Sequence, residues 1–179
     1  MRILSISDVI RPILLEEQGK QLVKKIDLIL SCGDLPPEYL TTLAHTYGVS
    51  LYYVCGNHDI RFKSSPPKSC INLHGRLVRF GGLKIQGLEG SIWYNGGPFQ
   101  YTEGQMRSCL RRLRPTLWWE KGIDMVVHPC AAASYSGWRG PVPPGVRVLS
   151  MADQQIQADI FSPWTYPPGV FKSLRKNHP

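Results

Sequence analysis

The chain has 179 residues, of which 42% are hydrophobic and 19% are charged, and its formal net charge is +8. This composition is typical of a soluble globular protein that is long enough to bury one core. Because no apolar run reaches about 18 residues, we expect no membrane-spanning helix.

Five cysteines occur in no paired spacing, which favours reduced thiols over a disulfide framework. The first predicted strand begins at Arg2 and leaves no room for a signal peptide. We therefore expect a cytoplasmic protein with no membrane partner.

The positive charge raises the question of nucleic-acid binding. Most of it is spread along the chain, and a solvated face that attracts anionic substrates is the simpler interpretation. Nucleic-acid binding stays an alternative, because one predicted helix carries a cluster of four arginines. These are Arg107, Arg111, Arg112 and Arg114.

The first sixty residues alternate between strands and helices. Short apolar runs at residues 2–7, 27–32 and 51–55 predict buried parallel strands. Apolar positions among charges predict a helix over 13–26. A second helix is predicted over 36–48, since proline is tolerated in the first turn and glycine ends helices.

Each of these strands leads into an acidic or amide residue. The carboxyl ends of parallel strands lie at one edge of a sheet, where ligands bind in open α/β proteins. We therefore expect one site to collect the polar side chains that follow the three strands. These are Asp8, Asp34, Asn57, His58 and Asp59.

Two strands at 76–80 and 83–88 flank Gly81-Gly82, which predicts a hairpin with a two-residue turn. Residues 90–101, rich in glycine, asparagine and aromatic residues, form either a packed surface loop or a rim that contacts substrate.

Thr102 and Gln105 predict a capping box at the start of a helix, which Pro115 is expected to kink or end early. An apolar run at 123–127 predicts another buried strand, and it leads to His128. The residues expected on the core face of the helix are Met106, Leu110, Leu113 and Leu117.

Carboxylate and amide oxygens together with imidazole suit divalent Mn, Fe or Zn. Two such ions about 3.5–4 Å apart stabilise an in-line phosphoryl displacement, and they activate a bound water as nucleophile. We expect Asp34 to bridge the two ions, and His58 to protonate the leaving oxygen or stabilise the developing charge.

Four features in this order resemble the motifs of the calcineurin-like metallophosphoesterases. They are Asp8, Gly33-Asp34, Gly56-Asn57-His58-Asp59 and a histidine after the strand at 123–127. The resemblance covers residues 1 to about 127. It implies an α/β (α+β) sandwich of two β-sheets flanked by helices, incomplete in its C-terminal part.

The resemblance also implies an activity and a role for each site residue. The activity is hydrolysis of phosphomonoester or phosphodiester bonds by metal-activated water. Asp8 would bind the first metal and Asn57 the second, with His128 as a further ligand. His58 would lie near the leaving group, and Asp59 would orient it.

Two departures from the family motifs weaken the metal site. The family's first motif reads Asp-x-His, whereas this chain has Asp8-Val9-Ile10, and isoleucine cannot ligate. The late Gly-His-x-His motif is absent, and the only histidine after residue 128 is His178. We therefore expect the second metal to bind weakly.

Residues 128–179 differ in composition from the residues before them. They contain eight of the 15 prolines and no glutamate. This pattern predicts a core domain of residues 1–127 followed by a proline-rich, poorly ordered tail.

The codons that can encode this tail suggest an origin for it. Read one base later, codons for His128 onward permit the family's Thr-His-Ala-Pro segment, and codons for 163–167 permit His-Gly-His-Thr-His. We hypothesise that an extra base near the Val127 codon shifted the reading frame. A non-catalytic remnant that binds anions or a partner through the arginine helix is then the main alternative to an enzyme.

Overall fold

The computed structural model describes residues 1–23 and 25–129. This part of the chain is a mixed α/β structure with several sheets and few helices, in line with the α/β (α+β) prediction at that coarse level. The poorly ordered tail and the shifted reading frame were predicted for the C-terminal part of the chain. Residues from 130 onward lie outside the part that the structure describes.

The first sheet contains four parallel strands, in the order β1-β2-β3-β4. Helical crossovers connect the first three strands, as the alternating pattern predicted, whereas β4 was not predicted. The strands are β1 (Ile3–Ile6), β2 (Leu28–Ser31), β3 (Ser50–Tyr53) and β4 (Cys70–Asn72).

The crossover from β1 to β2 differs from the single helix predicted over 13–26. It consists of a 3-10 helix, Pro12–Leu15, and helix α1, Glu17–Val23. Glu16 between them is extended, with φ −93° and ψ 159°. The second crossover, α2 (Pro37–Tyr47), ends at Gly48 in the left-handed conformation, as predicted.

Both faces of the first sheet are covered, which explains why every residue of the central strand β2 is buried. On one face, Ile29 packs with Leu40 and Leu43 of α2. On the other face, Leu28 and Leu30 pack against residues of the second sheet. Successive side chains of a strand point to opposite faces, so β2 contributes to two cores.

The second sheet contains β5 (Leu77–Phe80), β6 (Leu83–Gly87) and β9 (Met125–Val127) in the order β5-β6-β9. The predicted hairpin is confirmed: β5 and β6 are antiparallel, and the two turn glycines have φ of 55° and 83°. Strand β9 pairs with β6 in parallel, so its end points in the same direction as the end of β6.

The segment predicted as a loop over 90–101 contains a short parallel pair, β7 (Ser91–Ile92) with β8 (Gln100–Tyr101).

Helix α3 (Glu103–Trp119) follows, and its capping box is confirmed. Of the two outcomes predicted for Pro115, a kink or an early end, the early end does not occur. Met106 and Leu113 are buried, and the helix continues beyond Pro115 to Trp119 although the proline removes one hydrogen bond. Within the described residues, no helix is long and apolar enough to cross a membrane.

Candidate metal centre

The loops that follow β1, β2 and β3 meet at one edge of the first sheet. The backbone N–H of Asp8 donates to the carbonyl of Gly33 at 3.2 Å. The backbone N–H of His58 donates to Oδ1 of Asp34 at 2.9 Å. The convergence predicted from the parallel strands is therefore present for the residues that follow all three strands.

Two glycines allow these loops to approach each other. A Cβ atom on Gly56 would lie 2.2 Å from Oδ1 of Asp34, and a Cβ on Gly33 would lie 2.6 Å from the backbone N of Gly56. No side chain fits at such distances. Gly56 is thus required because the Asp34 carboxylate packs directly on its backbone, a reason that the sequence did not reveal.

The carboxylate of Asp59 holds the two central loops together. It is only 4% exposed, and its Oδ2 accepts hydrogen bonds from the backbone N–H groups of Gly56 and Asp34, both at 2.8 Å. Burial raises the pKa of Asp59 to about 6, although the bonded N–H groups oppose this rise. Within the described residues, Asp59 binds these backbone groups rather than the His58 imidazole.

Asp8 and Asp34 share an unusual backbone conformation. Their φ angles are 59° and 60°, in the left-handed region that aspartate tolerates better than most residues. Burial raises the pKa of Asp34, and the charge of Asp8 raises it further, while the His58 N–H and the His58 charge oppose the rise. Two carboxylates held this way at one edge form an arrangement that a cation would stabilise.

The side chain of Asn57 contacts the loop at 90–101. Its Nδ2 donates to the hydroxyl of Tyr94 at 3.0 Å. The amide oxygen is not used in this bond and can serve as a ligand. The neighbouring His58 is exposed, as a proton donor to a bound molecule must be. The sequence identified Tyr94 only as one of several aromatic residues in the loop.

His128 follows β9, and the chain after it reaches the same edge, because a Cβ on Gly33 would lie 3.3 Å from Cβ of Pro129. The ring Nδ1 lies 2.5 Å from the Pro129 carbonyl oxygen, so this nitrogen faces its own backbone. Burial lowers the pKa of His128.

The donor set brought together by the described residues consists of oxygen atoms. Among residues 1–23 and 25–129, no group of three or more His, Cys, Asp or Glu side chains is arranged to hold a metal ion. The charge of Asp8 acts on Asp34, and Asn57 follows Gly56, on which the Asp34 carboxylate packs. Such oxygen donors fit one hard divalent cation such as Mn²⁺ or Mg²⁺ better than Zn²⁺, which favours nitrogen and sulfur.

A cleft of about 280 Å³ lies beside this edge, and Glu89, His74 and Cys55 are among its lining residues. Glu89 is 7% exposed, and it accepts a hydrogen bond from the Tyr101 hydroxyl at 2.6 Å. Its backbone N–H donates to Nδ1 of His74 at 3.1 Å. This cluster was not predicted from the sequence, although Glu89 follows a predicted strand just as Asp8 and Asp34 do.

No protein-family model matches the chain, and no curated protein matches it at a significant level.

Proposed function

We propose that the chain is a metal-dependent hydrolase of phosphomonoester or phosphodiester bonds, of the calcineurin-like type. One observation carries the proposal. Asp8 and Asp34, both in the left-handed conformation, meet the Asn57 loop at the carboxyl ends of three parallel strands. Unfavourable backbone conformations are concentrated at functional sites, because the surrounding structure must impose them.

The layering of the described residues supports the same proposal. Helices α1 and α2 cover one face of the first sheet, and the second sheet covers the other face. This order of layers is compatible with a sandwich of two sheets flanked by helices. The motif residues lie in the loops of the first sheet, where open α/β sheets bind their ligands.

Each site residue has a role in this proposal. Asp8, Asp34 and Asn57 would hold one divalent ion, which supplies Lewis-acid activation and charge stabilisation when bound. His58 is exposed, its backbone N–H bonds to Asp34, and its imidazole would give a proton to the leaving oxygen. Asp59 would act indirectly, because its carboxylate accepts hydrogen bonds from the backbone N–H groups of Gly56 and Asp34 and fixes their positions.

The proposed site is poorer in ligands than its family motifs require. Ile10 occupies the position of a ligand histidine, and the late histidine motif is absent from the sequence. His128 directs one ring nitrogen at the Pro129 carbonyl. We therefore propose one occupied ion site at working concentrations, a weak second site and slow turnover. The nucleotide sequence across codons 125–170 tests whether a frame shift removed the missing histidines.

The activity test is hydrolysis of an aryl phosphate and of an aryl phosphodiester with added Mn²⁺. Asp34→Asn keeps an acceptor for the His58 N–H but removes the charge, so we expect a loss of about 100-fold or more in turnover. Asp124→Asn is the matched control, because Asp124 also accepts a backbone N–H, from Lys84 at 2.8 Å, but on an exposed surface. Equal turnover in wild type and Asp34→Asn would contradict the proposal.

A non-catalytic binding role is the second candidate, and helix α3 favours it. Arg111, Arg112 and Arg114 are exposed on this helix, and Trp118 and Trp119 at its end are 81% and 78% exposed. Arginines bind phosphates, and exposed indoles can stack on bases. No turnover, no Mn²⁺ binding and an oligonucleotide affinity that falls steeply with salt would support this candidate over the enzyme.

A further inference from the structure

The amide of Asn57 turns its nitrogen toward Tyr94. Nδ2 of Asn57 donates to the Tyr94 hydroxyl at 3.0 Å. The oxygen and nitrogen of an amide are bonded to the same carbon and point in different directions, so with Nδ2 on Tyr94 the Oδ1 atom is directed away from the hydroxyl. Without Tyr94, the amide could rotate and present its NH₂ group to a cation. The NH₂ group can only donate, so it would repel the cation.

Tyr94 is held in place by the polar network of its own loop. The backbone N–H groups of Tyr94 and Asn95 both donate to Oε1 of Gln100 at 3.1 Å. Oδ1 of Asn95 in turn accepts from Nε2 of Gln100 at 2.6 Å and from the Gly97 N–H at 3.1 Å. The pairing of β7 with β8 closes the base of the loop.

The loop is also anchored to the segment that leads from β3 to Asn57. The backbone N–H of Gly90 donates to the carbonyl of Cys55 at 2.7 Å, two residues before Asn57. The Gly90–Cys55 hydrogen bond therefore holds the loop that carries Tyr94 close to Asn57. None of these anchors uses the Tyr94 hydroxyl, so removing the hydroxyl should leave the loop in place.

The hydroxyl of Tyr94 has bonding capacity beyond Asn57. A phenol has one donor and two acceptor positions, and the bond from Asn57 uses one acceptor. No described residue accepts a hydrogen bond from the Tyr94 hydroxyl, and Tyr94 is 58% exposed. The O–H group can therefore donate to an oxygen of a molecule bound at the site.

We propose that Tyr94 is a positioning residue that turns the Asn57 oxygen toward the ion held by Asp8 and Asp34, and that its hydroxyl donates to a phosphoryl oxygen of the substrate. This inference rests on the proposed phosphoesterase function and assigns the loop over 90–101 a part in that site. The competing interpretation is an ordinary surface hydrogen bond, which would affect neither metal nor substrate.

The test measures Mn²⁺ affinity by calorimetry in wild type and Tyr94→Phe. Groups that orient a metal ligand typically change the affinity by 10-fold or more, so we expect roughly 10-fold weaker binding in Tyr94→Phe. The metal-free melting temperature should not change. Tyr47→Phe is the matched control, because the Tyr47 hydroxyl is buried with no recorded partner in the described part of the chain.

A double-mutant cycle with Asn57→Ala separates orientation from a general effect. If Tyr94 acts through the amide, Tyr94→Phe should not weaken Mn²⁺ binding further once Asn57 is replaced. Binding of inorganic phosphate to the Mn²⁺-loaded protein reports the second role, and it should weaken several-fold in Tyr94→Phe.

The possible outcomes separate the two proposals. If wild type binds no Mn²⁺, the proposed function fails and the inference on Tyr94 fails with it. If wild type and Tyr94→Phe bind Mn²⁺ equally, or if the effects of the two substitutions simply add, only the positioning role is overturned. Equal phosphate affinity in the two loaded proteins overturns the substrate contact.

Discussion

The backbone N–H of Asp34 donates a 2.8 Å hydrogen bond to the carboxylate of Asp59. This bond joins the loop after β2 to the loop after β3, and the same carboxylate oxygen also accepts from Gly56. A residue expected to assist His58 thus determines where the Asp34 carboxylate lies. The stability of the site and its affinity for a cation should therefore depend together on Asp59.

Two substitutions of Asp59 should distinguish what its hydrogen bonds contribute to stability from what its charge contributes. Asp59→Asn can keep an oxygen that accepts both N–H groups, whereas Asp59→Ala leaves both donors without their acceptor. We expect Asp59→Ala to be less stable than Asp59→Asn by about 2 to 4 kcal/mol. Urea denaturation at pH 7 without divalent ions measures the difference. Equal stability of the two variants would show that the hydrogen bonds from Gly56 and Asp34 to Asp59 contribute nothing to stability.

The charge of Asp59 should make stability depend on pH. Its pKa is about 6 in the folded protein, above the ordinary value of 3.8, so the folded state binds the proton more tightly. The resulting stabilisation is complete below about pH 3.8 and is lost as the pH rises through about 6. The rise of roughly two units corresponds to at most about 3 kcal/mol.

Denaturation of metal-free wild type and Asp59→Asn between pH 4.5 and 7.5 measures this contribution. The wild type should lose stability relative to Asp59→Asn as the pH rises, and the gap should level off above about pH 7. Asp34 is present in both proteins, so its own raised pKa largely cancels in the comparison. A constant gap across the range would falsify the prediction.

Gly56→Ala should disturb the site through a clash. The new Cβ would lie 2.2 Å from Oδ1 of Asp34, so the carboxylate must move. We expect a loss of about 1–3 kcal/mol in stability together with weaker Mn²⁺ binding. Gly104→Ala is the control, since its nearest atom outside the helix backbone, Oγ1 of Thr102, is 4.0 Å away. The control should gain about 0.5–1 kcal/mol, because alanine favours helix.

Asp8→Asn should make the metal-free protein more stable and its metal binding weaker. The charge of Asp8 is one of the causes that raise the pKa of Asp34, and asparagine also tolerates the left-handed φ of 59°. We expect a gain of up to about 1 kcal/mol without metal. Asp8→Ala removes the same charge but is strained at this φ by about 1 kcal/mol, so it should be less stable than Asp8→Asn. Thermal melting with a chelator compares the three proteins.

Much of the fold could be predicted because local patterns and packing agree. The buried runs that became β1, β2 and β3, the Gly81-Gly82 turn and the Thr102–Gln105 capping box depend on neighbouring residues and on periodicity. The short strands β4, β7 and β8 were missed because only pairing with distant segments makes them strands. The helix does not end early at Pro115, because a proline removes only one hydrogen bond of a helix that runs on to Trp119.

The site divides in the same way between sequence and structure. The spacing of Asp8, Asp34 and Asn57 after parallel strands was enough to predict that they converge, since such strands end at one edge. The direction of each side chain was not predictable. That Asp59 faces backbone N–H groups, and that Asn57 faces Tyr94, depends on loops distant in sequence.

The sequence by itself determined the first three parallel strands, the edge at which they end and the residue types delivered there, because these follow from hydrophobic periodicity and from the geometry of parallel sheets. Only the tertiary structure decided the contacts within the site. Close packing of Gly56 on Asp34, burial of Asp59 and the Asn57–Tyr94 bond arise from segments that meet in space, and their energies depend on distances that no local pattern encodes.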